Sequence, residues 1–230
     1  MKLGIIGGGQ IGGTLARRFA ELGHDVSIAN SRGPETLAAF AQEIGAKPVT
    51  VQQAARSGDV VIVAIPVKSV IQLPAKLFDG VPSDVVVVDT GNYYPQQRDG
   101  RIDPIESGAT TESRWVSDQL GRPVVKAFNT INWDHLLKRG KPKGAPGRIA
   151  LPVAGDDQRA KDVVIGLIDE LGFDGLDAGR LDESWRQQPG SPVYGADLDA
   201  DGARRALSQA KEERPAALRA GGSLAAAGRR

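Results

Sequence analysis

The sequence predicts an α/β fold: a doubly wound parallel sheet with a small C-terminal extension. Short, continuously apolar runs such as Val60-Val-Ile-Val-Ala-Ile65 and Val85-Val-Val-Val-Asp89 have strand length and no polar alternation, as strands covered on both faces do. Stretches of helical period separate them, and strands alternating with helices call for parallel pairing through crossovers. Gly is abundant, 29 of 230 residues. Three of these glycines fall as Gly7-x-Gly9-x-x-Gly12 between the first strand and the first helix.

Leu3 to Ile6 is the first strand. Apolar residues then recur at Ile11, Leu15, Phe19 and Leu22, a helix ending near Gly23. Val26 to Ile28 is a strand. A helix from Gly33 to Ile44 carries Pro34 in its first turn and stops at Gly45. Lys47 to Val51 is a third strand, Gln52 to Arg56 a short helix, Val60 to Ile65 a strand, Ser69 to Leu77 a helical patch and Val85 to Asp89 a strand. Trp115 to Leu120 is helical and Val124 to Phe128 extended. Ile149 to Ala154 is a strand whose Pro152 argues for an edge or an end. Asp157 to Leu171 is amphipathic, Phe173 to Asp177 is the last strand, and Arg180 to Arg186 with Pro189 to Gly195 form helix and ordered loop packed back on the core. The expected organisation is a main domain over residues 1–148, a small subdomain over 149–200 and an Ala/Gly/Arg-rich tail over 201–230, whose last ten or so residues fray.

Composition excludes much chemistry. Lys plus Arg is 29 against 28 Asp plus Glu, a formal charge of +1 that gives no argument for a nucleic-acid binder. Cys is absent, so disulfides, thiolate nucleophiles, Fe–S clusters and cysteine zinc sites are ruled out, and two His cannot build a three-histidine metal site. Redox chemistry here needs a borrowed cofactor. No apolar stretch reaches the roughly 18 residues of a membrane span, and the amino end breaks into glycines too early for a signal peptide; the expectation is a cytoplasmic protein with no membrane partner. Residues 201–230 carry seven Lys or Arg against three acids. A second basic cluster, Lys138, Arg139, Lys141, Lys143 and Arg148, is either a solvated loop or a cover near a cofactor phosphate.

The glycine pattern gains meaning from its place between strand and helix. Gly7 permits the tight turn, Gly9 lets backbone approach a pyrophosphate, and Gly12 lets helix pack on strand, with the amides of Gln10 and Ile11 facing the phosphate charge. Such Rossmann sites for NAD carry an acid roughly 20 residues on. Here the strand ends in Asn30-Ser31-Arg32-Gly33 instead. Arg32 suits a 2′-phosphate, with Ser31 and Asn30 as neutral donors, which favours NADP; the alternative is an exposed Arg or one paired with Glu35.

Ligands in open parallel sheets bind beyond the carboxyl ends of the strands. Those ends carry Ala64-Ile65-Pro66, Asp89 to Pro95 and Ala127-Phe128-Asn129-Thr130-Ile131-Asn132. Pro66 and Val67 suit packing against ribose or nicotinamide; Thr90, Asn92, Asn129 and Asn132 are neutral hydrogen-bonding groups. Tyr93 and Tyr94 either stack on a planar acceptor or pack on the sheet edge. No residue stands out as a general base, so no catalytic side chain is assigned, which suits hydride transfer between two planar rings better than reduction of a carbonyl. Asp134 and His135 are a relay or, more plainly, a helix start beside a surface His; His24 is structural, Trp115 and Trp133 core or interface, and Trp185 a cover for a pocket. A reductase of a small imine or carbonyl, and a non-catalytic NADP-binding redox module, remain as alternatives.

The segments Gly7 to Gly12, Asn30 to Leu37, Asp89 to Pro95, Val125 to Ile131, Leu151 to Asp157 and Ser184 to Arg186 together resemble the family of NADPH-dependent coenzyme F420 reductases, over about residues 1–200. The resemblance implies a Rossmann domain with a small C-terminal part, often a homodimer, that moves hydride between NADP(H) and a small-molecule redox acceptor, F420 or a flavin such as FMN. It implies that Ser31 and Arg32 carry the 2′-phosphate, that Ile65 and Pro66 line the dinucleotide, and that the deazaflavin stacks near the nicotinamide between the loops of Asn92 and Asn129. The cofactor-binding set is thus Gly7, Gly9, Gln10, Ile11, Gly12, Asn30, Ser31, Arg32, Ile65, Pro66, Asn92, Ala127 and Asn129.

Overall fold

Strands β1 (Lys2–Ile6), β2 (Asp25–Ala29), β3 (Lys47–Pro48), β4 (Val60–Val63), β5 (Val86–Asp89) and β6 (Val125–Lys126) pair in parallel in the order β3-β2-β1-β4-β5-β6. The computed structural model describes residues 1–222. The order reverses between β1 and β4, so the crevice of a doubly wound sheet opens above the carboxyl ends of these two strands. Helices α1 (Gln10–Glu21), α2 (Ala38–Ile44), α3 (Val51–Ala55), α4 (Asp103–Glu106), α5 (Glu112–Leu120), α6 (Trp133–Lys138) and α7 (Gln158–Glu170) fill the connections.

The apolar runs divide between two layers with the strand period of two. Leu3 and Ile5 of β1, Val60 and Ile62 of β4, and Val88 of β5 pack with Leu15 and Phe19 of α1 and Val164, Leu167 and Ile168 of α7. Ile6, Val61, Val63 and Val87 face the other way, onto Ala54, Ala55, Leu77 and Phe78. Gly4 is required here, because an added Cβ would overlap the Ala54 carbonyl of α3.

After α6 the chain forms a second, two-stranded parallel sheet from β7 (Ala150–Val153) and β8 (Asp174–Asp177), joined through α7. It meets the main sheet antiparallel at one bridge, Lys126 N–H to Ala154 O at 2.8 Å and Ala154 N–H to Lys126 O at 3.0 Å. Pro152 lies inside β7. Ile149 and Val153 accept bonds from β8, so by alternation the missing Pro152 N–H points away from β8. A last helix, α8 (Ala200–Ser208), buries Ala203, Ala206 and Leu207 against Ala150, Ala154 and Leu176.

Several elements are shorter or placed differently than expected. Val51 opens α3 instead of closing β3, because Thr50 caps the helix in a reciprocal capping box with Gln53. Residues 34–44 divide into a 3-10 turn, Pro34–Leu37, and α2. In place of the 69–77 patch a 3-10 turn, Val67–Gln72, begins two residues earlier and stops before Pro74. Thr111 caps α5, which starts at Glu112, three residues before Trp115, and β6 ends at Lys126, two residues before Phe128 adopts φ +61°. Within the Ala/Gly/Arg-rich 201–230 stretch, α8 occupies the first residues and Arg214 is buried against Glu112. The fraying expected of the last ten residues falls, from residue 223 on, outside the described residues. No helix among those described is long and apolar enough to cross a membrane.

Candidate functional site

The turn between β1 and α1 is built by steric exclusion. Gly7 has φ +120°, and an added Cβ would overlap the Ala64 carbonyl. At Gly12 the same Cβ would overlap the Gly7 carbonyl, so no other residue lets α1 sit this close to β1. A Cβ on Gly9 would meet nothing within 4 Å: that glycine keeps open space above the turn. Gly9 caps α1 without a side-chain hydrogen bond, and the first turn holds no acid. The amides of Gln10 and Ile11 therefore have no side-chain partner, and the helix end carries its full positive dipole toward the opening. Clearance and donors here fit a pyrophosphate.

Beside it, Asn30 folds the end of β2. Its Oδ1 accepts from the Arg32 amide at 2.8 Å and its Nδ2 donates to Thr36 Oγ1 at 2.9 Å. Asn30 thus shapes the loop with both ends of its amide. Ser31 and Arg32 are exposed, and the Arg32 side chain makes no ion pair or hydrogen bond among the described residues, Glu35 included. Glu35 instead lies against Gly33, whose φ of +99° and crowded Cβ direction demand glycine.

A cleft of about 410 Å³ runs along the carboxyl ends of the strands. Gly9, Gln10 and Ile11 form one end, Ile65 and Pro66 one wall, Asn92 and Asn129 the middle, and Tyr94, Arg98, Trp133 and Tyr194 the far end. Of the cofactor-binding set, Gly7, Gly12, Asn30, Ser31, Arg32 and Ala127 lie outside the lining; Ala127 is fully buried in the core beneath. Two clefts of about 560 and 630 Å³ lie elsewhere, at the amino ends of β1, β4 and β5 and beneath the C-terminal segment. Trp185 lines the second of these.

The cleft floor is held from below by a buried ion pair. Lys126, 1% exposed, donates to Asp89 Oδ2 at 3.1 Å and to the Gly91 carbonyl. Asp89 also accepts from Ser113 Oγ at 2.7 Å and, on Oδ1, from the Gly91 amide at 2.8 Å. The backbone of residues 90–92 is thereby fixed on both sides of Gly91. Above it, Asn129 Nδ2 donates to Asn92 Oδ1 at 3.0 Å and to the Gln187 carbonyl at 2.7 Å, while Gln187 Nε2 donates to Asn129 Oδ1 at 2.9 Å and Pro152 O at 3.1 Å. This network ties the residues after β5, β6 and β8 to one another and to β7.

Tyr93 is wholly buried, its hydroxyl spanning Gly100 O and the Ile102 amide. Tyr94 faces the cleft. The turn after it, Pro95–Asp99, is closed by Asp99, which accepts from the Tyr94 amide at 2.7 Å. Arg98 donates to Asn92 O at 2.7 Å and lies over the Tyr94 ring, 5.4 Å from its centroid. The Tyr94 hydroxyl bonds the Tyr194 hydroxyl, and burial pushes both phenols above the ordinary tyrosine range.

The basic loop does not line the cleft. Lys138 pairs with Asp134, Arg139 with Asp197, Lys143 with Asp169, and Arg148, 3% exposed, with Asp169 and Asp174 at 2.8 Å each. Lys143 and Arg148 thus brace the small sheet and its helix. His135 is held by Asp197 and His24 by Glu170, both away from the cleft. Tyr194, Arg98 and Gln187 escape sequence reasoning because they reach the site from loops and turns with no motif of their own; the Pro189 to Gly195 loop, compact and rich in Pro and Gly, was the available signal.

The glycine turn, the reversed strand order and the cleft beyond the strands define an NAD(P)-binding oxidoreductase of Rossmann fold. The model of the family described as NADP oxidoreductase, coenzyme F420-dependent, matches residues 2–93. The F420-dependent NADP reductase of Methanothermobacter thermautotrophicus is 30% identical over 199 residues, 80% of this chain and 83% of that protein. The chain belongs to this family. YjhV of Escherichia coli (strain K12), a protein of provisional name, is 44% identical over 91 residues, 40% of this chain; the match spans 59% of that protein's length. A crystal structure of SMa0349 from Sinorhizobium meliloti, a hypothetical protein, is 33% identical with a TM-score of 0.71, covering 86% of this chain and 94% of that one.

Proposed function

We propose that this protein moves hydride between NADP(H) and a deazaflavin or flavin ring. The observation that carries the reading is one cleft leading from the uncapped amides of α1 to aromatic walls at Trp133 and Tyr94. Gly7 and Gly12 hold the turn, Gly9 leaves room, and the Gln10 and Ile11 amides take the pyrophosphate. Arg32 and Ser31 take the 2′-phosphate on a loop that Asn30 folds. Ile65 and Pro66 lie along the ribose and nicotinamide, and Asn92 and Asn129 border the place where the rings meet. NADPH, when bound, supplies the hydride. The printed name of the Methanothermobacter relative supports F420 as the acceptor. A small imine or carbonyl is the second reading, favoured by the two tyrosine hydroxyls in the cleft.

Rapid mixing of the protein and NADPH with F420 or FMN in parallel tests this. Oxidation followed at the nicotinamide absorbance is expected with at least one of the two. Tight NADPH binding without oxidation by either would overturn the reading.

A further inference from the structure

Tyr194 reaches the cleft on a loop that no strand carries. The Gly195 amide donates to Thr130 O at 2.9 Å and Val193 is 3% exposed, so the loop is pinned at the carboxyl end of β6, opposite Tyr94. Each phenol has one proton to give and lone pairs to accept with. When one hydroxyl donates to the other, the second keeps its own proton, and neither has another protein partner among the described residues. That spare O–H lies in a cleft whose lining, among the described residues, contains no carboxylate, histidine or lysine. Arg98, the one charged lining residue among those described, is committed to Asn92 O and Asp99, and a guanidinium does not release its proton in a protein.

Resting on the hydride-transfer reading above, we propose that the Tyr94–Tyr194 hydroxyl pair is the proton donor of the acceptor half of the cleft, serving a ring nitrogen or carbonyl oxygen of a planar conjugated acceptor. The hydride brings both electrons and one hydrogen, leaving the acceptor anionic on its conjugated heteroatom. One tyrosine O–H bond then breaks as the new N–H or O–H bond forms, the second phenol passes its proton along, and water restores it. NADPH, acceptor and one proton thus give NADP⁺ and the dihydro acceptor. Burial, which raises both phenols despite Arg98 nearby and in concert with Glu112, keeps the pair protonated at neutral pH. The raised phenols are weak acids, so the proton moves only as the arriving hydride makes the acceptor heteroatom basic.

Tyr94→Phe and Tyr194→Phe, made singly in the full chain, test this while keeping the ring on which Arg98 lies. With FMN or F420, each is expected to slow NADPH oxidation by about 100-fold, to leave NADPH affinity unchanged and to shrink a solvent deuterium isotope effect present in the unmodified protein. Without turnover, FMN fluorescence quenching on the NADP⁺-loaded protein is expected to show several-fold weaker binding in each variant. Unchanged rates and isotope effect in both variants overturn the proposal. If the unmodified protein oxidises NADPH with neither acceptor, the hydride-transfer reading fails on its own. The pair then stands as an acceptor subsite if the variants weaken FMN binding, and falls if they do not.

Discussion

Arg32 stands where an acid would contact a ribose hydroxyl in an NAD site, and its side chain is unpaired among the described residues. An exposed guanidinium adds little to stability, so replacing it tests ligand contact with little effect on the fold. Arg32→Ala is expected to weaken NADPH binding by roughly 10- to 100-fold, the worth of one charged hydrogen bond of about 1.5–3 kcal/mol, and to leave NADH binding nearly unchanged. Nicotinamide fluorescence titrations of both cofactors check it; equal losses for the two would place Arg32 off the 2′-phosphate. The neighbouring Asn30 shows how far residue identity alone can be read. Its type suits a donor to phosphate, but its amide is engaged in folding the loop that presents Ser31 and Arg32.

The loop after β5 owes its shape to a side chain from β6. Removing Lys126 would leave the Asp89 carboxylate buried with only Ser113 and the Gly91 amide. Lys126→Met is expected to cost about 3–5 kcal/mol, as for a broken buried pair, and Lys126→Met with Asp89→Leu to recover part of it; urea denaturation of both variants reads the difference. In the sequence, Lys126 is a lone cation in an apolar strand, and nothing local says that its partner is 37 residues away. Elements with strong local signals were legible: α1 from its period, β4 and β5 from their unbroken apolar runs, the glycine turn from its context. What escaped were features set by distant contacts. The brevity of β6 follows from the turn at Phe128, the cleft's far wall from two loops, and α8 from its fit against β7, which composition concealed as an Ala/Gly/Arg-rich tail.

At the scale of the whole molecule, three ion-paired carboxylates of the small sheet, its helix and their connecting loop bear on how the fold responds to acid. Asp169 is held below the usual carboxylate range by its bond to Arg148. At Asp177 and Asp156 burial opposes ionisation most strongly, but the bond and charge of Lys161 together with the Gly179 amide, and those of Arg114 together with the Leu181 amide, outweigh it, leaving both low as well. All three belong to the β7–α7–β8 unit or the loop that leads into it. A carboxylate whose folded pKa lies below its unfolded value of about 3.9 stabilises the fold above that pH. Its contribution is lost as pH falls through the folded value. Because each group remains partly hydrated, the individual effects are small and screened by salt, but they act on the same unit. Acid is therefore expected to loosen the small sheet before β1 and β4, the central strands of the main one, whose facing side chains pack through apolar contacts indifferent to pH. Hydrogen-exchange protection factors, corrected for intrinsic rates, should fall at β7 and β8 between neutral pH and about pH 3 while β1 and β4 stay protected. Asp169→Asn should reproduce part of that loss at neutral pH. Simultaneous loss of protection in both sheets would mean that the single bridge at Lys126 and Ala154, with the packing of α7, couples them into one unfolding unit.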